Sequence, residues 1–296
     1  MQLNRIKENV FYIDAPANMG VVTNGRGEAL LVDTGLDESV ARKVRRLLQE
    51  NGFALRAIII THGHADHCGG TPHLVRTTGA RVYASPFEKT VLEFPIWEPL
   101  YLFGGAYPAP ALRSKFFLAP GVQVDEVLGP GRQTVAGCEV EIVALPGHTL
   151  GQVGVAVQGV LFSADAVIAP EFIAKHGVPL NADLEQTLAT FDLLERRPEG
   201  YFVPAHGEPV GDIGLLVAAN RRRVQEALGR IIALLERPRT AEEILALVCE
   251  AFGVQIAGTG QYYLMHLTVM AYLGYLLGKR EIAAFYNGNR QYFRRS

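Results

Sequence analysis

The feature that most constrains this chain is the segment His62-Gly63-His64-Ala65-Asp66-His67, which directly follows the apolar run Ala57-Ile58-Ile59-Ile60. That run, short and rich in β-branched residues, reads as a buried strand. Four side chains able to bind a cation therefore leave one strand end together. Imidazole and carboxylate are the ligands that divalent zinc takes in hydrolytic sites. The i, i+2 spacing turns His62 and His64 the same way, and Asp66 and His67 on the turn beyond can face a second ion. Gly63, Gly69 and Gly70 are expected to lend the dihedral freedom that a tight turn needs. A polar loop with chance histidines explains one or two such residues, not this set.

Three further candidates stand at strand exits, where α/β sheets build their sites. His148 lies in Leu145-Pro146-Gly147-His148-Thr149, Asp165 ends Val160-Leu161-Phe162-Ser163-Ala164, and His206 follows Tyr201-Phe202-Val203-Pro204-Ala205. Around them, patterning predicts hairpin strands over 10–32 with an Asn24-Gly25 turn, a helix from Asp37 to Gln49, and a helix over 70–78. Strands are expected at 81–84, 139–144, 153–157 and 160–163, then a helix over 183–196 and a strand at 201–203. Strand–helix alternation mixed with hairpins implies an α/β sandwich with helices outside two sheets. Residues 86–131 break this rhythm as a Pro- and Gly-rich insertion crowded with aromatics. The tail reads as helices over 241–252 and 262–277, then a ribbon turning at Asn287-Gly288, which is similar to a winged helix.

These residues resemble the metallo-β-lactamase fold hydrolase superfamily over about residues 10 to 210, including Leu31-Val32-Asp33-Thr34-Gly35 at the front. The resemblance, nearest to the glyoxalase II-like branch, implies an αββα sandwich with two metals at one edge. His62, His64 and His148 would hold the first metal, Asp66, His67 and His206 the second, and Asp165 would bridge them. Asp33 would support the site from behind by fixing a ligand loop. Members that reduce oxygen or nitric oxide with two irons usually carry glutamate where His64 stands, so zinc is the expected metal, with iron or manganese as alternatives. True β-lactamases lack the bridging carboxylate. Oxidation of sulfur on a single iron is a related activity outside hydrolysis.

The expected reaction is attack by a metal-generated hydroxide, oriented by Asp66, on a thioester, ester or lactone of a small molecule. Specificity must come from elsewhere. Trp97 and Tyr101 of the insertion, and Lys175 and His176 beyond Asp165, are the candidate substrate residues. The catalytic domain is expected to span residues 1–212 and the winged-helix-like module residues 213–296. The alternative is a ribonuclease or phosphodiesterase whose C-terminal module holds nucleic acid. A net charge of −2, and no Lys or Arg from Thr240 to Gly278, make that the less favoured reading. Arg221-Arg222-Arg223 reads as an exposed helix face. Tyr262, Leu264, Leu267, Met270, Leu273 and Leu276 read as a packing stripe, for the core or for a homodimer. Three widely spaced cysteines without a CxxC, no apolar leader in Met1–Glu8 and no apolar stretch long enough to span a bilayer point to a cytoplasmic, membrane-free protein.

Overall fold

The computed structural model describes residues 1–296. The first sheet has seven strands in sequential order: β1 (Gln2–Arg5), β2 (Val10–Asp14), β3 (Met19–Thr23), β4 (Glu28–Val32), β5 (Ala54–Ile59), β6 (Arg81–Ala84) and β7 (Glu126–Val127). Strands β1 to β4 pair antiparallel and β4 to β7 pair parallel. Helices α1 (Glu38–Glu50), α2 (Ala65–Cys68), α3 (Thr71–Thr78), α4 (Pro86–Glu93) and α5 (Trp97–Leu102) lie in its connections. The parallel pairs need those crossovers, and the hairpins do not. Asp37 caps α1 by accepting from the Ser39 and Val40 amides.

The second sheet runs β12-β11-β10-β9-β8, formed by β8 (Gly131–Val135), β9 (Cys138–Ala144), β10 (Val153–Val157), β11 (Val160–Ala164) and β12 (Tyr201–Pro204). Only β11 and β12 pair parallel, joined through α6 (Pro170–His176) and α7 (Leu184–Leu194). The period-2 alternation of β4 sorts its residues between layers. Leu30 and Val32 join Val155 and Phe162 between the sheets, whereas Ala29 and Leu31 join Val44 and Leu48 of α1 on the outer face. Burial on both faces explains why these strands read as continuous apolar runs. Each fully buried Leu, Ile or Val contributes roughly 1.5–3 kcal/mol relative to exposure. The layers are therefore α/β/β/α, as expected.

The chain continues through α8 (Gly214–Leu234), α9 (Ala241–Ala251), α10 (Thr259–Gly278) and the ribbon β13 (Ile282–Asn287) and β14 (Arg290–Arg295). These elements share one apolar cluster with Leu145, Ala156 and Leu161 of the second sheet's outer side. The α10 stripe differs from expectation: Met265, Val269, Tyr272, Leu273 and Leu276 are buried, while Met270 is 37% exposed. This helix is apolar nearly all round, so periodicity alone does not choose its inner face. The ribbon turns at Gly288-Asn289, both with positive φ, one residue later than the Asn-Gly signal suggested. The arginine run also differs: Arg221 pairs with Asp192 and Glu195, and Arg223 donates to the Gly177 carbonyl. The run thus ties α8 to its neighbours. No helix is long and apolar enough to cross a membrane.

Candidate metal centre

Strand β5 delivers the chain into Thr61–His64 beside the loop that leaves β4. There Asp33, at φ +63°, takes a backbone region that non-glycine residues rarely occupy. Its carboxylate accepts from the Thr61 amide (2.8 Å) and the Thr61 hydroxyl (2.7 Å), and pairs with His67 Nδ1 (2.8 Å). The expected glycine roles change here. Gly63, Gly69 and Gly70 all have ordinary φ and are required for space. A Cβ on Gly69 would lie 1.9 Å from the Leu36 carbonyl oxygen, and one on Gly70 2.5 Å from that of Thr34.

All five histidines have one ring nitrogen held by the protein and the other turned inward. His62 Nδ1 meets the Thr61 hydroxyl (3.2 Å), His64 Nε2 the Tyr101 hydroxyl (3.3 Å) and His67 Nδ1 Asp33. His148 Nδ1 donates to the Leu180 carbonyl (2.8 Å) and His206 Nδ1 to that of Pro16 (2.9 Å). Such contacts fix tautomer and ring orientation in metal-ligating histidines. His62 Nε2 and His148 Nε2 approach His64 Nδ1 at 3.1 and 2.9 Å, forming one triad. Asp66, His67 and His206 form another, with His206 Nε2 3.4 Å from Asp66. Asp165 reaches both, 3.4 Å from His148 and 3.6 Å from His67 and His206.

The donor set fits a metal on a direct observation. His67 Nε2 and Asp165 Oδ1 are buried without a hydrogen-bond partner. Each such orphan costs about 1–3 kcal/mol, and a cation between them satisfies both. The two triads differ electrostatically. Burial, reinforced by neighbouring imidazoles, pushes His62 well down and His64 down to about 3, and burial lowers His148. These three are neutral, as ligands must be. Burial also acts to lower His67 and His206, but Asp165 and its fellow carboxylates outweigh it, holding His67 well up and His206 at about 10. Burial would raise the Asp165 carboxyl, yet the charges of His206 and His67 hold it well below the usual range.

Of the candidate substrate residues, Tyr101 stands against His64, and Trp97 is 51% exposed at the start of the same helix. Lys175 and His176 are exposed at the end of α6, whose Phe172 ring lies 5.4 Å from His206. Two buried residues were not flagged by any sequence pattern. Asn18 donates through its side chain to the Pro204 (3.0 Å) and Gly207 (2.7 Å) carbonyls, and its amide donates to that of Ala205 (2.8 Å), so it grips the loop of His206. Glu88, 1% exposed, lies between the loops of the first triad, and burial raises its carboxyl. Both act across distant chain segments, which local patterning does not register.

A sequence profile described as the metallo-beta-lactamase superfamily matches residues 13–206. The Beta-lactamase-like protein 2 homolog of Drosophila melanogaster is 29% identical over 212 residues, covering 67% of this chain and 63% of that protein. A hydroxyacylglutathione hydrolase of Methylobacillus flagellatus is 30% identical over 141 residues, covering 48% of this chain and 44% of the relative. The chain thus spans less than two thirds of either. Among solved structures, a metallo-beta-lactamase family protein from Thermus thermophilus superposes with TM-score 0.72 at 22% identity, over 97% of this chain and 98% of that one. A beta-lactamase domain protein from Burkholderia ambifaria gives TM-score 0.78 at 18% identity, over 99% and 93%.

Proposed function

The chain belongs to the metallo-beta-lactamase superfamily, and from that membership we propose that it is a binuclear metal-dependent hydrolase of a small-molecule thioester, ester or lactone. The observation that carries this reading is the pair of ligand triads sharing Asp165, with two orphaned buried atoms between them. His62, His64 and His148 would hold one ion and Asp66, His67 and His206 the other, with Asp165 within reach of both groups. Two bound divalent ions, zinc by preference, supply a Lewis acid for the carbonyl oxygen and bring the pKa of water toward ~7. Asp66 is the ligand carboxylate most open to solvent, 43% exposed against 8% for Asp165. It orients the attacking water by accepting its hydrogen bond. Tyr101, whose hydroxyl meets His64, and Trp97 on the same helix would hold the apolar part of the acyl group. The match to hydroxyacylglutathione hydrolases supports a thioester.

Metal-replete protein assayed on a 2-hydroxyacyl thioester, an aryl ester and a lactone tests this. Turnover of at least one, abolished by a chelator and restored by zinc, is expected. Turnover that survives complete metal removal would sink the reading.

A second reading, phosphodiester cleavage, draws on the ribbon. Phe285 and Tyr292 stack there (centroids 5.6 Å apart, planes at 21°), with the Arg294 guanidinium 5.4 Å over Phe285. Aromatic–arginine surfaces of this kind accept unpaired bases. A single-stranded RNA in the same assay separates the two, and affinity that falls steeply with salt marks the second.

A further inference from the structure

The first triad draws its three nitrogens from two loops: His62 and His64 follow β5, and His148 follows β9. Across the two loops, His148 Nε2 meets His64 Nδ1 at 2.9 Å, and a bound ion would take up both of these nitrogens. Backbone pairing joins the loops at one point, where the Val153 amide donates to the Thr61 carbonyl (3.0 Å). Beside the ligand rings, the residue that bonds to both loops is Glu88. Its Oε2 accepts from the Gly63 amide (2.7 Å), between the two histidines of the first loop. Its Oε1 accepts from the Thr149 hydroxyl (2.6 Å) and the Gly151 amide (3.2 Å), just past His148.

The surroundings are shaped to this carboxylate. Ser85, which caps α4 by accepting from the Glu88 amide (3.3 Å), donates to the Gly151 carbonyl (2.8 Å). The Gly63 peptide is held from its other side by Cys68 Sγ (3.3 Å). A Cβ on Gly63 would stand 2.6 Å from Val91, and one on Gly151 2.6 Å from Phe87 and 2.8 Å from Glu88 Oε1. The first turn of α4 is therefore wedged between the loops, and glycine is required on both sides of it. Hydrogen bonds to a buried carboxylate are about twice as strong as neutral ones and fix geometry.

We infer that Glu88 is a positioning residue that sets the spacing of the His62–His64 and His148 loops, and through it the affinity of the first metal position only. This rests on the metal-centre reading above. Loss of an outer contact of this kind lowers metal affinity by about 10- to 100-fold. A merely structural Glu88 would lower stability without choosing between the two positions.

The experiment titrates the metal-stripped protein of residues 1–296 with Zn²⁺ against a chromophoric chelator, giving two dissociation constants, with His148→Ala and His206→Ala as references for the two positions. Glu88→Gln is expected to weaken the first position by about 10- to 100-fold and leave the second unchanged. Thr149→Val, which removes one arm of the joint, should weaken the same position less. Should Glu88→Ala fail to fold, these two milder variants still decide the matter. Unchanged constants in Glu88→Gln, or equal loss at both positions with a lowered melting temperature, would overturn the inference. Wild-type protein binding fewer than two ions would overturn the underlying reading, and this inference with it.

Discussion

Asp33 combines three hydrogen-bond contacts with a left-handed backbone, a conformation that costs of order 1–3 kcal/mol and persists where its surroundings over-determine it. Asp33→Ala leaves the buried Thr61 amide unpaired and frees the His67 ring. We expect a stability loss of roughly 1–3 kcal/mol and zinc affinity weakened about 10- to 100-fold, read by thermal melts and chelator competition. Tyr101→Phe removes one hydroxyl, the partner of His64 Nε2, and is expected to weaken zinc binding severalfold while the melting temperature holds. Proton linkage is also testable at this scale. His206 at about 10 and His67 well above the ordinary imidazole value are both charged at neutral pH. A cation must displace those protons, so zinc affinity rises with pH. For the metal-free protein the raised His206 contributes stability that is complete below its ordinary 6.5 and lost as pH rises through about 10. Titration calorimetry in buffers of differing ionisation heat should count released protons near pH 7, and a count of zero would contradict this. The residues of the two triads were legible in the sequence as candidates because their types are chemically narrow and each follows a strand. Asn18 and Glu88 were not, because an amide or carboxylate on a turn or helix is ordinary until its distant partners are known.

Among the elements, α1 and β6 follow their sequence signals closely because capping and alternation are local. The insertion does not. Its Pro- and Gly-rich, aromatic-crowded sequence breaks the strand–helix rhythm, yet α4 and α5 form within it, short helices held by tertiary contacts rather than propensity. The α4 wedge gives a paired test with two glycines. Gly151→Ala drives a Cβ into Phe87 and Glu88, and is expected to cost roughly 1–3 kcal/mol along with zinc affinity at the first position. Gly229→Ala, on the exposed side of α8 with nothing within 4 Å, is expected to be neutral or to stabilise by about 0.5–1 kcal/mol. Similar melting temperatures for the two variants would show that the wedge is looser than described.

For the molecule as a whole, the decisive feature is that the C-terminal helices and ribbon share one apolar cluster with Leu145, close to His148 in the chain, Val167, close to Asp165, and Ala169, whose amide donates to the His206 carbonyl (2.9 Å). Tyr272, Leu273 and Phe293 lie in that cluster almost fully buried. A chain ending at residue 212 would expose its partner surface to water. We expect it to lack a cooperative thermal transition and to bind zinc poorly. A sharp melt, followed by circular dichroism, would show instead that the first 212 residues fold alone. The α4 wedge also bears on protein engineering. Anyone re-targeting this scaffold would graft a foreign lid in place of the aromatic insertion, and a cut at Ser85 would remove Glu88 with it. Chimaeras joined after Glu93 keep the carboxylate in the host, so the choice of splice point decides whether a new specificity arrives with the His62–His64 and His148 loops still tied together.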